Sequence, residues 1–133
     1  LVSTLGLTGS VTLATPTHQM QEVYRSSSVY AMTSRYEGLP MVLLEAQQMG
    51  LPIISFACPC GPRDVITDGR DGFLIEQGDE ERFVTGLSRL MSDEELRQRM
   101  GAEARRASFR YTVDQVMAQW IELFEGLYRG ASK

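Results

Sequence analysis

The chain has 133 residues, of which 43% are hydrophobic and 23% charged, and its net charge is −4. This composition is typical of one soluble globular domain or part of one, and its acidic balance does not favour nucleic acid or an anionic membrane as partner. No apolar run approaches the ~20 residues that span a bilayer, and we find no signal peptide. We therefore expect a cytoplasmic protein. Because the chain starts at Leu1 rather than Met, we also expect a fragment of a longer one.

The first part of the chain alternates short β-prone runs with helical patterns. We predict strands at 11–15, 29–33, 53–57 and 73–75. We predict helices from a cap at Thr17 to about residue 27, over 40–49, and over 62–66. The run at 53–57 is apolar throughout, as expected of a parallel strand covered on both faces. The alternation predicts an α/β fold, with a Rossmann-like parallel sheet of about four strands flanked by helices.

The second part of the chain is predicted to be helical. We expect helices over about 79–91, 93–108 and 113–129, with a cap at Ser92 or Asp93 for the second of them. The last helix carries an apolar stripe: Val113, Val116, Met117, Trp120, Leu123, Phe124 and Leu127. We predict that this stripe packs into the core.

Cys58 and Cys60 are the two cysteines of the chain. They are too close in sequence for an unstrained disulfide, and a metal site would have only His18 to add to acidic ligands. We therefore predict two free thiols in a reducing compartment and no metal site.

The stretch from Ser34 to Ala46 carries the chemistry. It follows an apolar run, turns at Glu37-Gly38, and enters a helix for which Pro40 suits the first position. The N–H groups of the residues after Pro40 have no acceptor inside the helix, so they form an anion site at its start. Glu37 lies just before this helix and Glu45 lies inside it. This arrangement is typical of a nucleotide or nucleotide-sugar site at the carboxyl end of a parallel strand.

At this point a resemblance becomes specific. Ser34-x-x-Glu37-Gly38-x-Pro40, with seven residues between Glu37 and Glu45, resembles the E-x7-E signature of retaining glycosyltransferases of the GT-B fold, especially family 4. Further matches follow in order: Gly50-x-Pro52-Ile53-Ile54, Gly61-Pro62-x-x-Val65-Ile66-x-Asp68-Gly69-x-x-Gly72, and Gly78-Asp79. The resemblance covers nearly the whole chain and implies the donor-binding C-terminal domain of such an enzyme.

The resemblance implies a role for each residue of the motif. Glu45 would bind the ribose hydroxyls, because a carboxylate can accept two hydrogen bonds from a vicinal diol. Glu37 would be the catalytic-site residue, contacting hydroxyls of the donor sugar near the reacting carbon. The other donor-binding residues implied are Ser34, Gly38, Leu39, Pro40, Met41, Val42, Thr15 and Tyr24. Thr15 belongs to the base-contacting loop, and Tyr24 is expected near it. The alternatives are an ordinary turn acid for Glu37 and a structural salt bridge for Glu45.

The family's domain also has parts that this chain lacks. Its six strands are arranged 3-2-1-4-5-6, and the motifs match the run at 11–15 to the third strand. Strands one and two are then missing, together with the Arg and Lys that hold the diphosphate. The one lysine of the chain is Lys133. We therefore expect the isolated chain to bind the donor weakly and to be catalytically inactive, because a departing diphosphate needs cations.

The resemblance thus implies a hexosyltransferase as the full-length protein. It would move a hexose or N-acetylhexosamine from a nucleoside-diphosphate sugar to a hydroxyl acceptor, in bacterial polysaccharide or glycolipid synthesis. We expect a UDP-sugar ahead of a GDP-sugar, and no cofactor. The expected partners are this donor and the missing N-terminal domain of the enzyme. A peripheral contact of the full-length enzyme with the inner face of the membrane stays open.

Two alternatives stay open at this point. An epimerase or phosphorylase of the same fold fits less well, because such epimerases lack this E-x7-E context and such phosphorylases need a cofactor lysine. A non-catalytic nucleotide-binding or self-associating module fits better, with a homodimer formed through the exposed edge of the sheet.

Overall fold

The computed structural model describes residues 1–131, so Lys133 lies outside the described residues. The helices are α1 (Met20–Ser26), α2 (Met41–Gln48), α3 (Pro62–Val65), α4 (Glu80–Ser92), α5 (Glu94–Ser108) and α6 (Val113–Ala131). A 3-10 turn at Phe109–Tyr111 precedes α6. The strands are β1 (Tyr30–Met32), β2 (Ile53–Phe56) and β3 (Gly72–Ile75), which form one parallel sheet in the order β1-β2-β3. The predicted α/β fold with a helical C-terminal part is confirmed.

The central strand β2 organises the core. All four of its residues are buried, and successive side chains point to opposite faces of the sheet. Ile53 belongs to a cluster on the α2 side, which also contains Leu43 and Val65. Ile54 belongs to a second cluster, which contains residues of α4 and α5. The sheet is therefore covered on both faces, as the apolar run at 53–57 predicted.

The predicted strand at 11–15 is wrong. These residues form neither helix nor strand, and their side chains are exposed. The physical reason is that a β-strand is stabilised by hydrogen bonds to a neighbour. In the strand order implied by the resemblance, two strands would separate this segment from β1. The sheet of the described residues thus has three strands rather than four, and they are consecutive in both sequence and space.

The predicted burial of the last helix is also wrong. α6 forms as expected, but its apolar stripe is exposed, with Trp120 at 48% and Phe124 at 60%. The two rings stack on each other at a centroid distance of 5.4 Å rather than on the sheet. The amphipathic pattern correctly predicted a helix, but the described residues do not cover its apolar face.

The predicted cap at Thr17 is wrong, because α1 begins at Met20 with Gln19 as its N-cap, but the other helix boundaries differ from the prediction by only one or two residues. Asp93 caps α5, since its carboxylate accepts the N–H of Leu96 at 2.9 Å. Helix α2 begins at Met41, one residue later than expected, and Pro40 is its N-cap. Among residues 1–131, no helix combines the length and the apolar character needed to cross a membrane.

Candidate functional site

Both glutamates of the motif follow the carboxyl end of β1, Glu37 in the loop to α2 and Glu45 on α2 itself. Glu37 is half-buried in this loop, and Glu45 is exposed on α2. Ser34 is half-buried just after β1, whereas Gly38 and Leu39 form an exposed turn. Pro40 is buried and has φ −74° and ψ 94°, an extended conformation that delivers the chain into α2.

The first turn of α2 presents free backbone donors. The N–H of Leu43 donates to the carbonyl of Pro40 at 2.9 Å. Met41 and Val42 precede Leu43 as the first two helical residues, so they have no acceptor inside the helix. Both residues are exposed. An anionic or hydroxyl-rich ligand could therefore accept hydrogen bonds from these two amides.

Glu45 is oriented by a buried tyrosine. The hydroxyl of Tyr24 donates to Oε2 of Glu45 at 2.9 Å, and Tyr24 is only 3% exposed. Burial, followed by this hydrogen bond, raises the pKa of Tyr24 well above its ordinary value, so the phenol stays protonated and remains a donor. The bond holds one carboxylate oxygen and leaves the other available at the surface. Glu45 thus makes a tyrosine contact rather than the salt bridge considered as an alternative.

The two glutamates lie near the same side chain. Burial raises the pKa of Tyr30, and the charges of Glu37 and then Glu45 raise it further. Burial also raises the pKa of the Cys58 thiol, with a second contribution from Glu37. Both carboxylates are therefore within electrostatic reach of Tyr30. Glu37 and Glu45 thus both act electrostatically on Tyr30, a residue of β1.

The loop before α3 packs directly against the turn that leads into α2. A Cβ added to Gly61 would lie 2.3 Å from Cδ of Pro40 and 2.5 Å from the carbonyl oxygen of Gly38. Gly61 adopts φ +84° and ψ −68°, a conformation that favours glycine. Gly61 is thus part of the wall that shapes the site. Gly61 belongs to one of the motif matches in the sequence, but nothing in its local pattern indicated this contact.

Not every predicted residue joins the site. Thr15 is exposed in the irregular segment before α1. Tyr24 is buried and its hydroxyl donates to the Glu45 carboxylate, so its contact with the donor stays a prediction. Gln47, which the sequence analysis did not single out, is buried and donates from Nε2 to the carbonyl of Val65 at 3.0 Å, tying α2 to α3.

A cleft of about 450 Å³ opens at the same edge of the sheet, on the side of α4. It is lined by residues that include Thr33, Arg35, Phe56 and Phe83, but neither Glu37 nor Glu45 lines it. The two carboxylates and the free amides of α2 are therefore part of an open surface, not of an enclosed pocket. Met41, Val42 and Glu45 are exposed, so the candidate site is an open surface of the described residues.

Comparison with known proteins agrees with this geometry. Residues 2–107 match the family model of glycosyl transferases, group 1. The chain is 40% identical over 114 residues to the amylovoran biosynthesis glycosyltransferase AmsD of Erwinia amylovora. This match covers 86% of this chain and 32% of that protein. The chain is 38% identical over 128 residues to an exopolysaccharide phosphotransferase of Streptomyces coelicolor, covering 96% of this chain and 14% of that protein. The chain thus spans a third or less of these two relatives.

Solved structures agree as well. A mutant of S. aureus TarM, crystallised with Fondaparinux, alpha-GlcNAc-glycerol and UDP, superposes with a TM-score of 0.86 at 26% identity, over 92% of this chain and 25% of that one. The C-terminal domain of a glycosyl transferase group 1 family protein from Francisella tularensis superposes with a TM-score of 0.72 at 22% identity. That match covers 84% of this chain and 59% of the other, and it shows the shared fold alone. The chain therefore belongs to the group 1 glycosyl transferases and has the fold of their C-terminal domain.

Proposed function

We propose that this chain is the donor-binding part of a retaining glycosyltransferase. The full-length enzyme would move a hexose or N-acetylhexosamine from a UDP-sugar, or less readily a GDP-sugar, to a hydroxyl acceptor. The observation that carries the proposal is the oriented Glu45 carboxylate beside the free amides of α2, with Glu37 nearby. A nucleotide diphosphate sugar supplies the matching groups: a ribose diol, anionic oxygens and sugar hydroxyls.

Each residue has a distinct task in this proposal. Glu45 accepts hydrogen bonds from the ribose 2′ and 3′ hydroxyls, and Tyr24 holds it in place. The amides of Met41 and Val42 donate to diphosphate or sugar oxygens. Glu37 accepts from hydroxyls of the donor sugar, close to the carbon whose bond to the diphosphate breaks. The acceptor oxygen then bonds to that carbon on the same face, its proton passes to the departing phosphate oxygen, and the anomeric configuration is kept.

The relatives support the pathway and the nucleotide. AmsD acts in amylovoran biosynthesis, and the TarM crystal contains UDP. By analogy, we propose bacterial polysaccharide or glycolipid synthesis as the setting and UDP as the carrier. Because the described site is one open wall, we further propose that the isolated chain binds the nucleotide weakly and transfers no sugar.

The proposal is tested by titrating the chain with UDP, GDP and 2′-deoxy-UDP under ligand-observed NMR. Glu45→Ala should weaken UDP binding by about tenfold or more, since it removes hydrogen bonds to a charged acceptor. Tyr24→Phe should weaken it less, because Glu45 stays but loses its orientation. Glu122→Gln, which changes an exposed carboxylate on α6, serves as the control.

The deoxynucleotide identifies the contact. The wild-type chain should bind 2′-deoxy-UDP more weakly than UDP, and Glu45→Ala should bind the two alike. A Glu45→Ala variant that still binds UDP more tightly than 2′-deoxy-UDP would show that Glu45 does not bind the ribose 2′ hydroxyl. A folded wild-type chain that binds none of the nucleotides would contradict nucleotide binding by this wall alone.

A self-associating module is the second candidate. Two observations favour it: within residues 1–131, β1 pairs only with β2 and so has an open edge, and the apolar face of α6 is exposed. An open strand edge and an apolar face both invite association. Light scattering across a range of concentrations measures this directly. A mass that stays at that of the monomer at every concentration would rule out a homodimer through the sheet edge.

A further inference from the structure

The end of α3 is held by two side chains from a distant part of the chain. The hydroxyl of Tyr111 donates to the carbonyl of Asp64 at 2.8 Å. Nη2 of Arg110 donates to the same carbonyl at 3.0 Å and to the carbonyl of Val65 at 2.5 Å. The guanidinium of Arg110 also lies 4.8 Å from the centre of the Tyr111 ring, close enough for a cation–π contact that orients both donors. We call Arg110 and Tyr111 the α3 brace.

Helix α3 depends on such outside contacts. It has only four residues, and a helix this short is not stable by itself in water. Its last carbonyls have no acceptor role inside the helix, so their partners must come from elsewhere. The α3 brace supplies three hydrogen bonds to these carbonyls, and Gln47 of α2 supplies a fourth.

The other end of α3 contacts the candidate site. The carboxylate of Asp64 accepts the N–H of Gly61 at 3.3 Å, which links the end of α3 to its start. Gly61 in turn packs on Pro40 and on the carbonyl of Gly38. A continuous path of contacts therefore runs from the α3 brace through α3 to the turn between Glu37 and α2.

We propose that Arg110 and Tyr111 are positioning residues for the donor site. By holding α3 and Gly61 in place, they set the position of the turn at residues 38–40, and so the distance between Glu37 and the free amides of α2. Both residues lie beyond the segment at 2–107 that the family model matches. Because donor binding at this turn is itself proposed above, the role of the α3 brace rests on that proposed function.

The test uses the full chain with three brace variants: Arg110→Gln, Arg110→Lys and Tyr111→Phe. Arg106→Gln is the matched control, because Arg106 is an exposed arginine of α5 that pairs only with Glu103 among the described contacts. Two quantities are measured: the exchange rates of individual backbone amides and the affinity for UDP. Amide exchange separates local opening of one segment from unfolding of the whole chain.

Arg110→Gln should speed exchange at the hydrogen-bonded amides of Leu43 and of residues 64–66 by about tenfold or more, and leave the amides of β2 unchanged. It should also weaken UDP binding several-fold. Tyr111→Phe removes a single hydroxyl and should act in the same direction with a smaller effect. Arg110→Lys keeps the charge and should recover part of the loss, whereas Arg106→Gln should change neither quantity.

Two results would overturn the positioning role while leaving the proposed function intact. One is a wild-type chain and an Arg110→Gln variant that bind UDP equally well. The other is amide exchange that rises equally in β2, in α3 and at the start of α2, because that pattern indicates a general loss of stability. A wild-type chain that binds no UDP would instead remove the proposed function, and the donor role of the α3 brace with it.

Discussion

Replacing Gly61 by alanine tests whether the loop before α3 shapes the candidate site. The backbone of Gly61, at φ +84° and ψ −68°, lies in a region that other residues reach only with strain. The added methyl group would sit 2.3 Å from Cδ of Pro40 and 2.5 Å from the carbonyl oxygen of Gly38. Neither atom belongs to a flexible side chain, so the turn that leads into α2 has to move.

The expected loss has two parts. Backbone strain at such a conformation costs roughly 1–3 kcal/mol, and forcing an extra methyl group into a packed contact costs roughly another 1–3 kcal/mol. Gly61→Ala should therefore lower the free energy of unfolding by about 2–6 kcal/mol. Gly69→Ala is the matched control, because Gly69 also has a positive φ of +73° but nothing lies within 4 Å of its added Cβ. It should lose only the strain, roughly 1–2 kcal/mol.

Urea denaturation of the wild-type chain and the two variants measures these losses, and titration with UDP measures the effect on the site. We expect Gly61→Ala to lose more stability than Gly69→Ala, and to bind UDP more weakly even where it remains folded. Equal losses in the two variants would mean that the contact with Pro40 does not resist displacement. An unchanged UDP affinity in a folded Gly61→Ala chain would show that the loop before α3 does not shape the UDP site.

Two further predictions concern buried side chains and the exposed face of α6. Burial raises the pKa of Asp71, so the folded state holds the proton more tightly than the unfolded state does. The free energy of unfolding of the wild type, relative to that of Asp71→Asn, should therefore fall as the pH rises from about 4 through the raised pKa. Urea titrations at several pH values measure this difference, and a difference that grows with pH would contradict it. Trp120→Ala on the exposed face of α6 should change the free energy of unfolding by only about 0.5 kcal/mol. Met100→Ala in the buried cluster should cost about 2–5 kcal/mol, and equal losses would place α6 in the core.

The elements that the sequence predicted correctly are those whose signals are local. The uninterrupted apolar run at 53–57 indicates a strand covered on both sides, and Ile53 and Ile54 do divide between two buried clusters. Pro40 and Asp93 mark helix starts to within one residue because capping depends on neighbours in sequence. The donor-binding roles of Glu37 and Glu45 stay predictions, and both carboxylates raise the pKa of Tyr30 in β1.

The two errors have a common physical cause. The run at 11–15 has the composition of a strand, and α6 has the periodicity of a helix that packs on a core. Composition and periodicity describe what a segment would bury, but not whether a neighbouring element is there to bury it against. No strand of residues 1–131 lies next to the segment at 11–15 in the sheet, so this segment stays irregular. Helix formation needs no neighbour to satisfy the backbone, so α6 forms and leaves its apolar face exposed.

The contacts that orient the site could not have been predicted, because they join residues far apart in sequence. The hydroxyl of Tyr24 reaches Glu45 across 21 positions, and Tyr111 reaches Asp64 across 47. The motif identifies the groups that can hydrogen-bond to a nucleotide sugar, because such a ligand needs carboxylates and free amides as partners. Their orientation depends instead on side chains that are ordinary in sequence. We therefore expect a chain that keeps both glutamates to bind UDP more weakly once Tyr24 or the α3 brace is changed, in which case the motif alone would be an insufficient sign of donor binding.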